Sequence, residues 1–66
     1  MLGKRLRELR EELKMTQARL ARELGISPNA ISQYENGDRQ PNYEVLKKIC
    51  KFFSVTADDM LGFEEE

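Results

Sequence analysis

Residues 17–36 read QARLARELGISPNAISQYEN, and two short helical patterns follow one another in this stretch. Its first part places Leu20, Ala21 and Leu24 on one face at helical spacing, which predicts a short amphipathic helix. Gly25 follows at once, where the end of a helix needs a residue that adopts positive φ. Thr16, just before the stretch, is expected to cap this helix. The first half of the stretch is therefore a helix that ends in a tight turn.

The second half of the stretch predicts another helix with a well-marked start. Ser27 offers a hydroxyl as N-cap, and Pro28 occupies the first helical position, where its missing N–H costs little. Ala30, Ile31 and Tyr34 recur at the spacing of an apolar inner face. The whole stretch is predicted to form two short helices joined by a turn.

The outer face of this second helix carries Pro28, Asn29, Ser32 and Gln33, all of them small or polar and none of them charged. Asn29 and Gln33 are four residues apart and so lie on one face of a helix. Each can present its amide bidentately to N6 and N7 of adenine. An apolar back with an uncharged, amide-bearing front suits the reading of base edges in a major groove.

The segment resembles the helix-turn-helix of the lambdoid phage repressor and Cro family, also called the Xre-type regulators. The matching positions are Gln17, Ala21, Gly25, Ile31, Tyr34 and the sequence YENG at residues 34–37. Further agreement extends the likeness over residues 2–63. The resemblance implies an all-α fold, a five-helix repressor-like DNA-binding domain with the helix-turn-helix at helices 2 and 3.

The resemblance also implies a role for individual residues. Bases would be read by Pro28, Asn29, Ser32 and Gln33, and phosphates would be bound by Gln17, Ser27, Asn36 and Arg39. Pro28 departs from the family, which often has a polar or basic residue there, so its ring can at most pack on a thymine methyl. Arg10 is expected to form a buried ion pair with Glu35, at the end of the recognition helix.

Apolar periodicity predicts three more helices around this pair. Leu2, Leu6, Leu9 and Leu13 form one stripe of a first helix. Asn42 is expected to cap a fourth helix, whose inward residues are Val45, Leu46, Ile49, Cys50 and Phe53. Thr56 is expected to cap a short fifth helix, with Asp58 and Asp59 favourably placed in its first turn.

Length and composition exclude several classes of protein. Sixty-six residues predict a single domain, with an acidic tail at 64–66. The single cysteine cannot form an internal disulfide, and the absence of histidine removes the usual zinc sites and histidine-dependent catalysis. The sequence therefore predicts no metal, no cofactor, no small-molecule ligand and no membrane span. The expected location is the cytoplasm, for a bacterial or phage protein associated with the nucleoid.

Charge is distributed unevenly along the chain, although the net charge is only −1. Residues 1–40 hold eight Lys or Arg against six Asp or Glu, a net of +2, while residues 41–66 hold three against six, a net of −3. The half that carries the helix-turn-helix is thus mildly basic. This permits DNA binding and predicts that non-specific affinity is weak.

One domain of this size reads few base pairs, and the family solves this with two copies on a palindromic operator. A homodimer is therefore expected, with its interface at Phe52, Met60 and Phe63. These residues offer more apolar surface area than one small core can bury.

The resulting hypothesis is sequence-specific binding of double-stranded DNA by a transcriptional regulator, with repression as the expected outcome. The alternative is an antitoxin or protein-interaction module with the same fold, which should have an apolar outer face on the third helix. An enzyme is the remaining class, but no pair of carboxylates stands beside a nucleophile in the pattern.

Overall fold

The computed structural model of the chain describes residues 2–61. Their regular structure is entirely helical, and the five helices are α1 (Leu2–Glu12), α2 (Gln17–Leu24), α3 (Pro28–Asn36), α4 (Tyr43–Phe53) and α5 (Ala57–Leu61). This confirms the predicted all-α, five-helix fold with the helix-turn-helix at α2 and α3.

Four of the five helices begin at a side-chain cap that the sequence predicted. In each case a side-chain oxygen accepts a backbone N–H three residues further on, which satisfies one of the donors left unpaired at a helix start. The bonds are Arg19 N to Thr16 Oγ1 at 3.0 Å, Ala30 N to Ser27 Oγ at 3.1 Å, Val45 N to Asn42 Oδ1 at 2.9 Å and Asp59 N to Thr56 Oγ1 at 3.0 Å.

The two helices of the motif end at glycines in the left-handed region. Gly25 has φ +72° after α2, and Gly37 has φ +83° after α3. In both turns the glycine N–H and the following N–H donate back to carbonyls of the last helical turn, at 3.0–3.3 Å. These two turns fix where α3 starts and where the chain leaves it.

The apolar residues of all five helices meet in one core. Its fully buried side chains include Leu6 of α1, Leu20 of α2, Ile31 of α3, Ile49 of α4 and Met60 of α5. Helix α3 packs against both α1 and α2, so the recognition helix is held from two sides. Its inner residues Ala30, Ile31 and Tyr34 are all buried, as predicted.

Two predictions about apolar residues are wrong. Leu13 lies beyond the end of α1 and is 56% exposed, because the chain turns at Lys14 with φ +56° and leaves the helical stripe. Met60 has an exposed fraction of 0% and belongs to the core, so it offers no surface to a second copy.

Helix α1 approaches the end of α3 unusually closely at Gly3. A Cβ atom at this position would lie 2.5 Å from the carbonyl oxygen of Tyr34 and 2.7 Å from that of Glu35. Such a separation is too short for any side chain, so the approach requires glycine. The N-terminal helix is thereby seated directly on the last turn of the recognition helix.

Candidate nucleic-acid interface

The predicted base-reading residues lie on α3, on the side that faces away from the core. Pro28 and Asn29 are exposed, and Ser32 and Gln33 are half-buried. Because α3 spans Pro28–Asn36 without interruption, Asn29 and Gln33 share one face as predicted. The structure thus brings the four residues together on a rigid surface that carries no charge of its own.

Ser27, predicted to bind phosphate, acts as the N-cap of α3. Its Oγ accepts the N–H of Ala30, so the hydroxyl hydrogen is the part of the group that can donate to an anion. Asn36, at the other end of the same helix, is the last residue of α3 and is exposed. These two candidates therefore flank the base-reading face from either end.

The predicted partners Arg10 and Glu35 form a bidentate ion pair. Arg10 Nε donates to Glu35 Oε2 at 2.7 Å, and Arg10 Nη2 donates to Glu35 Oε1 at 3.1 Å. The exposed fraction of the side chain is 11% for Arg10 and 2% for Glu35, so both charges are largely withdrawn from water. The hydrogen bond to Glu35 raises the pKa of Arg10 above its ordinary value, although burial opposes this.

Arg10 makes one further bond that secures the start of α2. Its Nη1 donates to the carbonyl oxygen of Met15 at 2.7 Å, in the turn between α1 and α2. A single guanidinium therefore connects α1, the turn and α3. The geometry is that of a charge-assisted clamp, in which a planar fork satisfies several acceptors at once.

Gln17 also contacts Glu35, a contact that the sequence did not reveal. Gln17 Nε2 donates to Glu35 Oε1 at 3.1 Å, so the carboxylate accepts from α1 and from α2. Gln17 had been predicted to bind phosphate. An amide nitrogen carries two N–H groups, and the second one is the donor that Gln17 can offer to an anion.

Arg39 contacts the recognition helix at three points. Its backbone N–H donates to the carbonyl oxygen of Gln33 at 3.3 Å, and its Nη1 donates to Oε1 of the Gln33 side chain at 3.4 Å. The guanidinium carbon lies 5.8 Å from the centre of the Tyr34 ring. This residue was expected to bind phosphate, and nothing in the sequence indicated that it meets Gln33.

Two further cations belong to the motif itself and lie on α2. Arg19 pairs with Glu23 one turn away, with 3.1 Å between Nε and Oε2, whereas Arg22 is exposed. An exposed pair of this kind contributes little to stability, typically about 0–1 kcal/mol. Its more relevant effect is to cancel the charge of Arg19, which leaves the surface of α2 only weakly positive.

Two kinds of feature are absent from the described part of the chain. Residues 2–61 contain no cluster of three or more His, Cys, Asp or Glu side chains that could hold a metal ion. No helix within the same range is long and apolar enough to cross a membrane.

The fold and this face define the chain as a helix-turn-helix protein, with a capped recognition helix held by a buried ion pair. A family model described as helix-turn-helix matches residues 6–60. The chain belongs to this family, which confirms the resemblance to the phage repressors and Xre-type regulators.

Two curated relatives illustrate the family. The transcriptional activator BcrR of Enterococcus faecalis is 48% identical over 63 residues, which are 96% of this chain and 31% of BcrR. The antitoxin PezA of Streptococcus pneumoniae is 40% identical over 62 residues, which are 94% of this chain and 39% of PezA. The chain therefore spans just under a third of the length of BcrR and about two fifths of the length of PezA.

A solved structure matches the fold closely. It is the crystal structure of the P22 c2 repressor protein in complex with a synthetic operator, from a phage of Salmonella. The two chains are 37% identical with a TM-score of 0.86, and the match covers 91% of each. The likeness in fold therefore extends over nearly all of the present chain.

Proposed function

We propose that this chain is the sequence-specific DNA-binding domain of a transcriptional regulator and that α3 enters the major groove of double-stranded DNA. The observation that carries the proposal is the outer face of α3. It carries two amide side chains and no charged residue of the helix, and the helix is capped and supported from two sides. The similarity to a repressor described in complex with a synthetic operator adds support.

Base reading and phosphate binding fall to different residues in this proposal. Asn29 and Gln33 read base edges through their amides, while Ser32 and Pro28 contribute a hydroxyl and an apolar contact. Gln17, Ser27, Asn36 and Arg39 set the register by binding phosphates. The N-terminus of α2 aids Gln17, because the unpaired N–H groups of a helix start favour an anion.

The sparse positive charge has a consequence for affinity. Each phosphate that a cation neutralises adds to the salt dependence and to the non-specific affinity. With Arg19 paired to Glu23 and Arg10 committed to Glu35, few cations are left for the DNA backbone. We therefore expect a shallow salt dependence, and selectivity that comes chiefly from neutral contacts.

The rival reading, an antitoxin or interaction module, is disfavoured by the same face. The antitoxin PezA matches 94% of the chain, so that likeness alone does not separate the two readings. A protein-docking helix would need apolar anchors on its outer side. Pro28 is the only apolar residue among the four on this face, and an enzymatic role lacks histidine and a paired nucleophile.

The direction of regulation follows from where the operator lies relative to the promoter. The relatives include a protein named as an activator and another named as a repressor. Repression is the simpler outcome for a domain that occludes a promoter. The place of action in this proposal is the bacterial cytoplasm, on the nucleoid, as one domain spanning residues 1–66.

Two copies are proposed to bind one palindromic operator, with recognition helices about 34 Å apart. Of the three residues first assigned to the interface, Phe52 is 37% exposed, Met60 is buried and Phe63 lies outside the described residues. A second apolar surface lies along α4, where Tyr43 is 71% exposed beside a groove of about 500 Å³ that Leu46, Cys50 and Val55 also line.

The test is selection of bound sequences from a random duplex pool, followed by fluorescence anisotropy with the selected site at two salt concentrations. We expect one enriched motif, and Gln33→Ala should cost about 1–3 kcal/mol of binding free energy, concentrated at a single base pair. Arg22→Ala serves as the control for a general loss of charge. Enrichment of no motif would refute the proposal, and an equal loss on every sequence would remove Gln33 from base reading.

A further inference from the structure

The side chain of Gln33 is in contact with Arg39 on the surface of α3. Arg39 follows the glycine turn after α3, and its backbone N–H donates to the carbonyl oxygen of Gln33 at 3.3 Å. The chain therefore folds back over the residue that the sequence singles out for base reading. The Arg39 side chain then reaches the same residue again, through Nη1 and the amide oxygen at 3.4 Å.

The guanidinium of Arg39 is itself held in place. Its central carbon lies 5.8 Å from the centroid of the Tyr34 ring, within the range of a cation–π contact. Tyr34 is only 3% exposed, so its ring is fixed by the core. Arg39 is therefore supported by a rigid platform on one side and meets the Gln33 amide on the other.

This arrangement decides which way the amide of Gln33 points. A guanidinium can donate hydrogen bonds but cannot accept them, so a neighbouring amide must turn its oxygen, and not its nitrogen, toward it. With Oε1 directed at Arg39, the Nε2 group with its two N–H donors is directed away. Acceptors on base edges, such as purine N7, are the groups that such a donor recognises.

We infer that Arg39 is a specificity-determining positioning residue: it orients the Gln33 amide before DNA arrives and so sets the base preference at the position that Gln33 reads. The inference rests on the proposed function and deepens it. It differs from the phosphate contact expected for Arg39, since a contact to the DNA backbone carries no sequence information.

The two roles predict different results for Arg39→Ala. If Arg39 only binds phosphate, the variant loses affinity equally for all sequences, and the slope of log K against log salt becomes shallower by about 1. If Arg39 orients Gln33, the ratio of affinities between the preferred base pair and the other three falls at one position only. Arg22→Ala is the matched control, because Arg22 is an exposed arginine of the same motif that lies on α2, not beside Gln33.

The first experiment needs no DNA. The two side-chain amide protons of Gln33 are followed by NMR in the wild type, in Arg39→Ala and in Arg22→Ala, with backbone shifts as a check that the fold is retained. We expect the Gln33 amide signals to move in Arg39→Ala and to stay in place in Arg22→Ala. Unchanged signals in Arg39→Ala would mean that the contact does not orient the amide, and the inference would fall.

The second experiment is a double-mutant cycle on DNA. Wild type, Arg39→Ala, Gln33→Ala and the double variant are titrated with the selected operator and with its three substitutions at the Gln33 position. Loss of one hydrogen bond predicts that Arg39→Ala reduces discrimination about threefold to tenfold. The double variant should then discriminate no worse than Gln33→Ala alone, because the two residues act through one contact.

The outcomes separate this inference from the proposed function. If the wild type prefers no duplex, the proposed function fails and the inference fails with it. If the wild type prefers a duplex but Arg39→Ala weakens every base pair equally, only the inference is overturned. Additive losses of discrimination in the double variant would overturn it as well, since they would show that Arg39 reads DNA independently of Gln33.

Discussion

Glu35 connects three helices through one carboxylate. It lies on α3 and accepts two hydrogen bonds from Arg10 of α1 and one from Gln17 of α2. A carboxylate that is only 2% exposed has lost most of its hydration, and these three donors replace it. Removing either partner of the Arg10–Glu35 ion pair therefore leaves a buried charge uncompensated.

We predict that Arg10→Ala or Glu35→Ala lowers the free energy of unfolding by about 3–5 kcal/mol, because each leaves the other charge buried and unpaired. In a domain of 66 residues such a loss can abolish folding. The double variant with leucine at both positions should recover part of the stability, because neither charge is then buried. Urea unfolding followed by circular dichroism measures all three.

A surface pair provides the matched comparison. Arg7 and Glu11 of α1 lie 3.6 Å apart with more than half of each side chain exposed. Arg7→Ala should cost no more than a few tenths of a kcal/mol. If Arg10→Ala lowered the free energy of unfolding no more than Arg7→Ala, the Arg10–Glu35 pair would not contribute to stability as proposed.

Cys50 gives a prediction with a defined pH dependence. Burial disfavours the thiolate and raises the pKa of the Cys50 thiol above its ordinary value, and the nearby charge of Asp59 acts in the same direction. The folded state therefore holds the thiol proton more tightly than the unfolded state does. This contribution to stability is complete below the unfolded pKa and is lost as the pH rises through the folded pKa.

The measurement is the rate of alkylation of Cys50 by iodoacetamide at several alkaline pH values, in buffer and in urea. The rate for the folded protein should be slower and should rise at higher pH than the rate for the unfolded chain, because only the thiolate reacts. Urea unfolding of the Cys50→Ala variant over the same pH range should show a smaller loss of stability at alkaline pH than the wild type, because the variant lacks the thiol. Identical rate profiles in buffer and in urea would contradict the assignment.

At this scale the sequence predicted the caps well and the polar contacts poorly. Thr16, Ser27, Asn42 and Thr56 each precede an apolar pattern, so their role follows from local chemistry that involves only neighbours in the chain. The bond from Gln17 to Glu35 joins residues 18 positions apart. Nothing in the pattern around Gln17 distinguishes an amide that faces a phosphate from one that faces a carboxylate.

Helices α1 and α3 show how one element sets the position of another. Near the start of α1, Gly3 lies against the carbonyl oxygens of Tyr34 and Glu35. Near the end of α1, the Arg10–Glu35 ion pair joins the same two helices. Two points of attachment define both the distance and the angle between the helices. The base-reading face of α3 therefore depends on a helix that lies on the opposite side.

Gly3→Ala tests this attachment. On propensity alone the change should stabilise α1 by about 1 kcal/mol, since alanine is the better helix former. The added Cβ would, however, lie 2.5 Å from a backbone carbonyl that cannot rotate away. We expect a net loss of about 1–3 kcal/mol in urea unfolding, the usual range for overpacking.

The neighbouring residue Lys4 supplies the control for Gly3→Ala, because it is exposed on the same helix. Lys4→Ala should leave the free energy of unfolding within about 0.5 kcal/mol of the wild type. A Gly3→Ala variant as stable as the wild type would show that α1 can move away without cost.

Helix existence and type could be predicted for every element of the described chain, and the one clear error concerns a boundary. The repeat of Leu2, Leu6 and Leu9 continues to Leu13 in the sequence, but α1 ends at Glu12. The cause is the left-handed conformation of Lys14, with φ +56°. Lysine rarely adopts positive φ, so Lys14 does not predict a helix end, whereas Gly25 and Gly37 correctly predicted the ends of α2 and α3.

In the molecule as a whole, the number of apolar side chains that face inward determines how much apolar surface remains for a partner. The sequence analysis placed Met60 with Phe52 and Phe63 in an apolar interface, yet Met60 is buried in the core. The sequence does not show how much apolar volume five short helices can enclose. Phe52 remains partly exposed and packs edge-on against Phe53, with ring centroids 5.0 Å apart.

The proposed dimer yields a prediction that separates two surfaces. Phe52→Ala and Tyr43→Ala remove exposed aromatic area at the end and at the start of α4. The variant that lies in the interface should weaken binding to a full palindromic operator much more than binding to an isolated half-site. Anisotropy titrations on both duplexes measure this. Equal weakening on both duplexes by both variants, or a selected site without inverted symmetry, would argue against the dimer.

The outer face of α3 is uncharged, and this separates two quantities that change together in many DNA-binding proteins: the affinity for DNA and the preference for one sequence over another. Salt weakens binding by restoring the counterions that cations displaced, and this loss is the same for every sequence. Contacts from neutral amides to base edges displace no counterions, so the ratio between two operators should stay nearly constant as salt rises. A shift in ionic strength would then change how much of the operator is occupied, while the ranking of operators would be preserved.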